Sequence, residues 1–220
     1  LEDVTDGNKV VPVSQFYAKL AQRIMHIFNT RLASGLLFEL DLRLRPSGNS
    51  GVLVVHIDTF AQYQHKEAWT WEHQALVRAR GIYGDNDILT KFSQIRSAIL
   101  STKRDQKKLK QDVITMRDKM RKHLDKSMAD NYDIKQGNGG LVDIEFLAQY
   151  LVLNHSDRHQ EISQYSDNLS LFSTLAKLNV ISDEEKALLI KHYCQLRDHG
   201  HRSSLQNNAM TILSSDISAQ

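Results

Sequence analysis

At 220 residues with a formal net charge of +2, the chain is long enough to bury a core without covalent staples and too near neutrality for a polyanion to be demanded as a partner. A single cysteine, Cys194, excludes an internal disulfide framework and a cysteine metal cluster, and fits a buried thiol in a reducing cytoplasm. No apolar run approaches the roughly 20 residues of a membrane span, and the polar, acidic start (LEDVTDGNK) is unlike a signal peptide, so a soluble protein is expected; beginning at Leu1, it is expected to be an excised or processed piece of a longer parent.

Only two prolines, Pro12 and Pro46, leave room for long helices. The first is expected from a Ser14 cap to about Ala33, with Phe16, Leu20, Ile24, Ile27 and Phe28 on one stripe and Gly35 beyond its end. From Leu36 to Arg45 the period becomes two, setting Phe38, Leu40, Leu42 and Leu44 on one face and Glu39, Asp41, Arg43 and Arg45 on the other. A Pro-Ser-Gly-Asn-Ser-Gly turn and the β-branched run Val52 to Ile57 complete an expected hairpin.

Helices follow from Asp58, over 70–80 and near 88–100, and a long one over about 103–128 carries Leu109, Val113, Met116, Met120 and Leu124 at helical spacing. After a polar, glycine-rich break at 130–140, further helices are expected near 141–154, 167–178 and 182–205, with residues 214–220 fraying. The pattern is a small α/β piece ending near residue 84, then a helical bundle.

The face with Glu39, Asp41, Arg43 and Arg45 is either a solvated sheet face with pairs of alternating sign or a site. Carboxylates followed by arginines and a tight turn can hold a divalent cation at one end and polyphosphate oxygens at the other. The run Phe38-Glu39-Leu40-Asp41-Leu42-Arg43-Leu44-Arg45-Pro46-Ser47-Gly48 and the block from Trp69 through Trp71, Glu72, His73 and Gln74 to Arg78 and Arg80 resemble the glutamine synthetase adenylyltransferase family. A third block, Gly139-Gly140-Leu141-Val142-Asp143-Ile144-Glu145-Phe146, with Ser166-Asp167-Asn168 further on, extends the resemblance over most of the chain.

That resemblance implies an α+β, mainly α fold: a partial polymerase-β-type nucleotidyltransferase α/β piece over 1–84, then a helical bundle over 85–220. It implies a cytoplasmic enzyme with two homologous copies of this fold, one transferring AMP from ATP to a tyrosine of glutamine synthetase and the other removing it by phosphorolysis. The Trp69 to Gln74 block looks more like the adding copy. The resemblance further implies Mg²⁺ held by carboxylates on adjacent strands, with Asp41 as one ligand and aid to deprotonation of the tyrosine hydroxyl, and Glu39 beside it. Arg43, Arg45, Arg78 and Arg80 would bind nucleotide, with Glu72, Asp143 and Glu145 as possible support. Glutamine synthetase would be the partner, and the PII signalling protein and glutamine would regulate the parent. The family's Gly-Ser turn followed by an Asp-x-Asp strand is not found in this sequence, so the chain is expected to be inactive alone.

The tryptophans are expected in core packing, and Gly137-Asn138-Gly139-Gly140 reads as a helix cap with favourable first-turn charge rather than as an anion cradle. Residues 103–126 hold ten Lys or Arg against four Asp, which predicts a solvated helix face, with docking of an acidic partner or of nucleic acid as the alternatives. His192, His199 and His201 fit no zinc spacing. A helical module that only binds protein or nucleic acid remains the reading from another class.

Overall fold

The structure, a computed structural model, describes residues 3–6, 9–36, 40–206 and 208–213; Phe38, Glu39 and the tail 214–220 lie outside them. The fold is α+β and mainly α, with eight α-helices among the described residues and two small antiparallel sheets of two strands each. No helix among these residues is long and apolar enough to cross a membrane. By contacts the chain divides into two compact units, residues 1–68 and 69–220.

In the first unit β1 (Val4–Asp6) and β2 (Lys9–Val11) pair with Thr5 opposite Val10. Helix α1 (Val13–Asn29) begins directly after Pro12, whose fixed φ suits a helix start. The expected apolar stripe is present but none of it is buried: Phe16, Leu20, Ile24 and Ile27 are all exposed. Helix α2 (Ile57–Lys66) starts where the His56 ring accepts the Asp58 N–H at 3.3 Å.

The hairpin expected over 36–45 and 52–57 is not formed by the described residues of this stretch. Among described residues 40–56 there is no strand; a short 3₁₀ turn (Gly48–Ser50) is the one helical element, and Ile57 already belongs to α2. An alternating pattern makes a strand only where neighbours take its N–H and C=O groups, and an isolated pair is marginal. Local groups compete successfully: the Asp41 carboxylate takes the Arg43 N–H at 2.9 Å, and the Arg45 side chain donates to the Leu42 and Gly51 carbonyls. The turn itself is tight. Ser47 is left-handed at φ 59°, and a Cβ on Gly51 would lie 1.9 Å from the Pro46 carbonyl oxygen.

The second unit carries every buried apolar side chain found among the described residues. Its helices are α3 (Thr70–Arg78), α4 (Asn86–Leu100), α5 (Gln106–Leu124), α6 (Leu141–His155), α7 (Asn168–Lys177) and α8 (Asp183–Leu205). Helix α6 is central, packing against α3, α5, α7 and α8, and Ala148, Val152 and Leu153 are its most buried residues. Helix α3, grouped by pattern with the N-terminal piece, packs on α4, α5 and α6.

Helix starts follow their caps: Asp85, Asp105, Asp167 and Ser182 each accept a backbone N–H of the first turn. Strand β3 (Asn131–Asp133) pairs with β4 (Thr211–Leu213), Tyr132 facing Ile212.

Candidate functional site

In the first unit, Asp41 and Arg43 form a local clasp. Arg43 Nε donates to Asp41 Oδ1 at 2.9 Å, Nη2 donates to Oδ2 at 2.5 Å, and the Arg43 backbone N–H adds a third bond. Both side chains are exposed, 53% for Asp41 and 78% for Arg43. The Arg43 guanidinium, then its backbone N–H, hold the Asp41 carboxyl down at about 2, and the carboxylate in turn raises Arg43. Asp41 is therefore an ionised, accessible carboxylate, and its present partner is a side chain that also matches phosphate.

Arg45 is engaged otherwise. Its Nη1 donates to the Leu42 carbonyl at 2.5 Å and its Nε to Gly51 at 3.3 Å, so it staples the turn. Glu39 lies outside the described residues, and the shared strand face expected for the four charged residues is not formed by residues 40–45.

In the second unit, α3 and α6 bring two more candidates together: Arg78 Nη1 donates to Glu145 Oε1 at 3.0 Å, with both side chains partly exposed. Arg80 follows α3 on the exposed surface. Glu72 is buried at 8% exposure and accepts the Trp69 N–H at 2.9 Å, which makes it a helix cap at the third helical position. Trp69, expected in the core, is 71% exposed; Trp71 is half-buried. Thr70 and Gln74 tie α3 to its neighbours through Asp112 at 2.7 Å and Gln149 at 3.0 Å.

Asp143 is the most heavily engaged of the candidates. Its carboxylate accepts from Arg117 Nε at 2.5 Å, from Arg121 Nη2 at 2.8 and 2.9 Å, and from the Gly139 N–H at 2.6 Å. Burial alone would push its pKa up, but the Gly139 N–H and the two guanidinium groups outweigh it and the net shift is downward. Gly139 sits at φ +81°, a conformation glycine adopts without strain, and turns its N–H onto this carboxylate. The glycine-rich loop thus receives the chain's own carboxylate, as expected for a cap.

Pattern reading did not find Arg117, Gln136 or Asp133. Arg117 is 5% exposed in the middle of a basic helix and donates to Gln136 Oε1 at 3.2 Å and the Gln136 carbonyl at 2.7 Å. Asp133 is equally buried and accepts the N–H groups of Lys126, Lys135 and Gln136, shaping the loop before α6. An arginine on the helix stripe one position after Met116 was the available signal. Among the described residues no group of three or more His, Cys, Asp or Glu is placed to hold a metal ion.

Comparison with known proteins finds relatives of this chain. Residues 2–95 match the family model for glutamate-ammonia ligase adenylyltransferase, and residues 107–211 match that for GlnD PII-uridylyltransferase. The chain is 49% identical over 216 residues to a bifunctional glutamine synthetase adenylyltransferase/adenylyl-removing enzyme of Shewanella oneidensis, covering 98% of this chain and 23% of that protein. It is 50% identical over 202 residues to the protein of the same name from Shewanella woodyi, covering 92% of this chain and 21% of the relative. The chain therefore spans less than a quarter of the length of these relatives, and over nearly its whole length it is similar to the glutamine synthetase adenylyltransferase/adenylyl-removing enzymes.

Proposed function

We propose that this chain is part of a cytoplasmic adenylyltransferase that moves AMP from ATP to a tyrosine of glutamine synthetase and so regulates nitrogen assimilation, with the PII signalling protein acting on the parent. The observation that carries it is Asp41: an exposed carboxylate paired with the Arg43 fork, inside the segment matched to the adenylyltransferase family. The names of the relatives include both adding and removing activities, so phosphorolytic removal of AMP is the second reading.

A hard cation such as Mg²⁺ takes several oxygen ligands in near-octahedral geometry. Asp41 alone, clasped by Arg43, does not fit such an ion among the described residues. The chain's own contribution is electrostatic and positional. Arg43 can exchange its carboxylate for a phosphate oxygen, since the guanidinium fork matches both, which leaves Asp41 facing the reacting groups. Arg78 and Arg80 add positive charge at and after the end of α3; Arg78 is oriented by Glu145, and Glu72 fixes the first turn of that helix.

Transfer of ³²P-labelled AMP from ATP to glutamine synthetase by the longer protein carrying Asp41→Asn tests this. A loss of more than about a hundredfold is expected. Wild-type transfer by that variant overturns the assignment, and phosphorolysis in place of transfer moves it to the removing reaction. The isolated chain is expected to give no incorporation.

A further inference from the structure

Helices α5 and α6 leave between them a groove of about 340 Å³. Phe146, Leu147 and Tyr150 from α6 and Ile114 from α5 line it together with Lys110 and Arg121. Ile114 is 44% exposed and Leu147 39%, so the groove holds apolar surface that the fold does not cover. Around it the helix is cationic: residues 103–126 carry ten Lys or Arg and four Asp, and of the two carboxylates that line the groove Asp143 is paired with Arg117 and Arg121, and Asp118 with Arg121. Lys110, at the rim, is exposed and makes no ion pair among the described residues.

We propose that this groove docks the protein substrate, taking an acidic segment that presents one bulky apolar side chain between carboxylates. The proposal rests on the adenylyl-transfer reading and names the surface by which glutamine synthetase would be held. The apolar anchor would fill the space over Ile114 and Leu147, while the flanking carboxylates would meet Lys110 and the cationic surface of α5 around it. Charge complementarity selects a protein of this kind over an apolar one, because a wholly apolar segment would leave the cationic rim desolvated and unpaired. A nucleic acid would use the helix's charge but not the apolar floor, and would respond to any lysine of the helix alike.

That difference gives the test. Lys108 is on the same helix but is not a lining residue, about 160° around from Lys110 at 3.6 residues per turn. The full chain is immobilised and glutamine synthetase passed over it, comparing wild type with Lys110→Glu, Ile114→Asp and Lys108→Glu, each checked for unchanged melting.

Lys110→Glu and Ile114→Asp are each expected to weaken binding about tenfold, and Lys108→Glu by less than about threefold. Wild-type binding should also weaken as salt rises. Equal losses at Lys108 and Lys110, full binding by Ile114→Asp, no binding by wild type, or displacement by a single-stranded oligonucleotide would each overturn the groove assignment. The transfer reading is judged separately by Asp41→Asn in the longer protein, so either can fail while the other stands.

Discussion

The Arg117 guanidinium and the Asp143 carboxylate meet at 2.5 Å across α5 and α6, 26 residues apart in sequence. Arg117 is 5% exposed, and its remaining donors go to Gln136, whose backbone belongs to the loop that delivers Gly139 to the same carboxylate. One ion pair therefore fixes a helix pair and the loop that precedes α6. It also sets the groove, since Asp143 and Arg117 both line it.

Removing one partner should cost more than removing both. Asp143→Asn leaves a buried guanidinium without its counter-charge and should lower unfolding free energy by about 3 kcal/mol in urea titrations followed by circular dichroism. Arg117→Met combined with Asp143→Leu should recover at least half of that loss, because no charge is then stranded. A double variant as unstable as the single one would show that shape, not charge, holds the helices together.

The same carboxylate gives a pH dependence of known sign. Its folded pKa is lowered, against an unfolded value of about 3.9, so the stabilisation is fully present above about pH 4 and is lost as pH falls through the folded value. Urea midpoints between about pH 2 and pH 6 should fall on the acid side in the wild type. In Asp143→Asn that fall should be shallower, with the remainder due to other carboxylates such as Asp125, which is also lowered, chiefly by Ser127.

Arg96 has no carboxylate partner among the described residues and is 7% exposed. It donates instead to four carbonyls: Leu76 at 2.8 Å, Val77 at 2.6 Å, Tyr165 at 2.9 Å, and Ser163. Burial lowers its pKa, yet it binds the end of α3 to the segment between α6 and α7. Arg96→Met should cost about 3 kcal/mol, and Arg96→Lys nearly as much, since an ammonium cannot span the four acceptors. The readout is again the urea midpoint; a lysine variant of wild-type stability would mean that charge alone suffices.

These arginines mark the limit of what pattern could reveal. Helix α6 begins at Leu141 as periodicity and the preceding glycines predict, and α5 begins at Gln106 because Asp105, inside the expected span, caps it instead. Intermediate-range periodicity carries such information. It does not carry pairing between distant positions, so in sequence Arg117 is one more charge on a basic helix and nothing marks Arg96.

Strands show the same limit from the other side. The alternating run at 36–45 signals two distinct faces but cannot signal whether a neighbour will pair, and residues 40–45 settle into turns made by their own side chains. Conversely, β3 and β4 are three residues each and have no periodic signal; their pairing is extended by the Ile134 N–H, which donates to the Met210 carbonyl at 3.1 Å. Of the candidate residues, Asp41 and Asp143 were visible as carboxylates, but their partners became visible only in three dimensions.

The Asp41 clasp can be tested without any enzyme assay. If Arg43 is what depresses the carboxyl, Arg43→Gln should raise its pKa from about 2 toward the ordinary value of about 3.9, followed by carboxyl-carbon NMR through an acid titration. Fold stability should be little changed, since both side chains are exposed. Added inorganic pyrophosphate should produce a smaller rise of the same sign in the wild type, because an anion that engages Arg43 competes with the carboxylate for the same fork. A titration near 2 that survives both the substitution and the anion would mean that Arg43 does not set the charge of Asp41, and the exchange of carboxylate for phosphate at this arginine would have no basis.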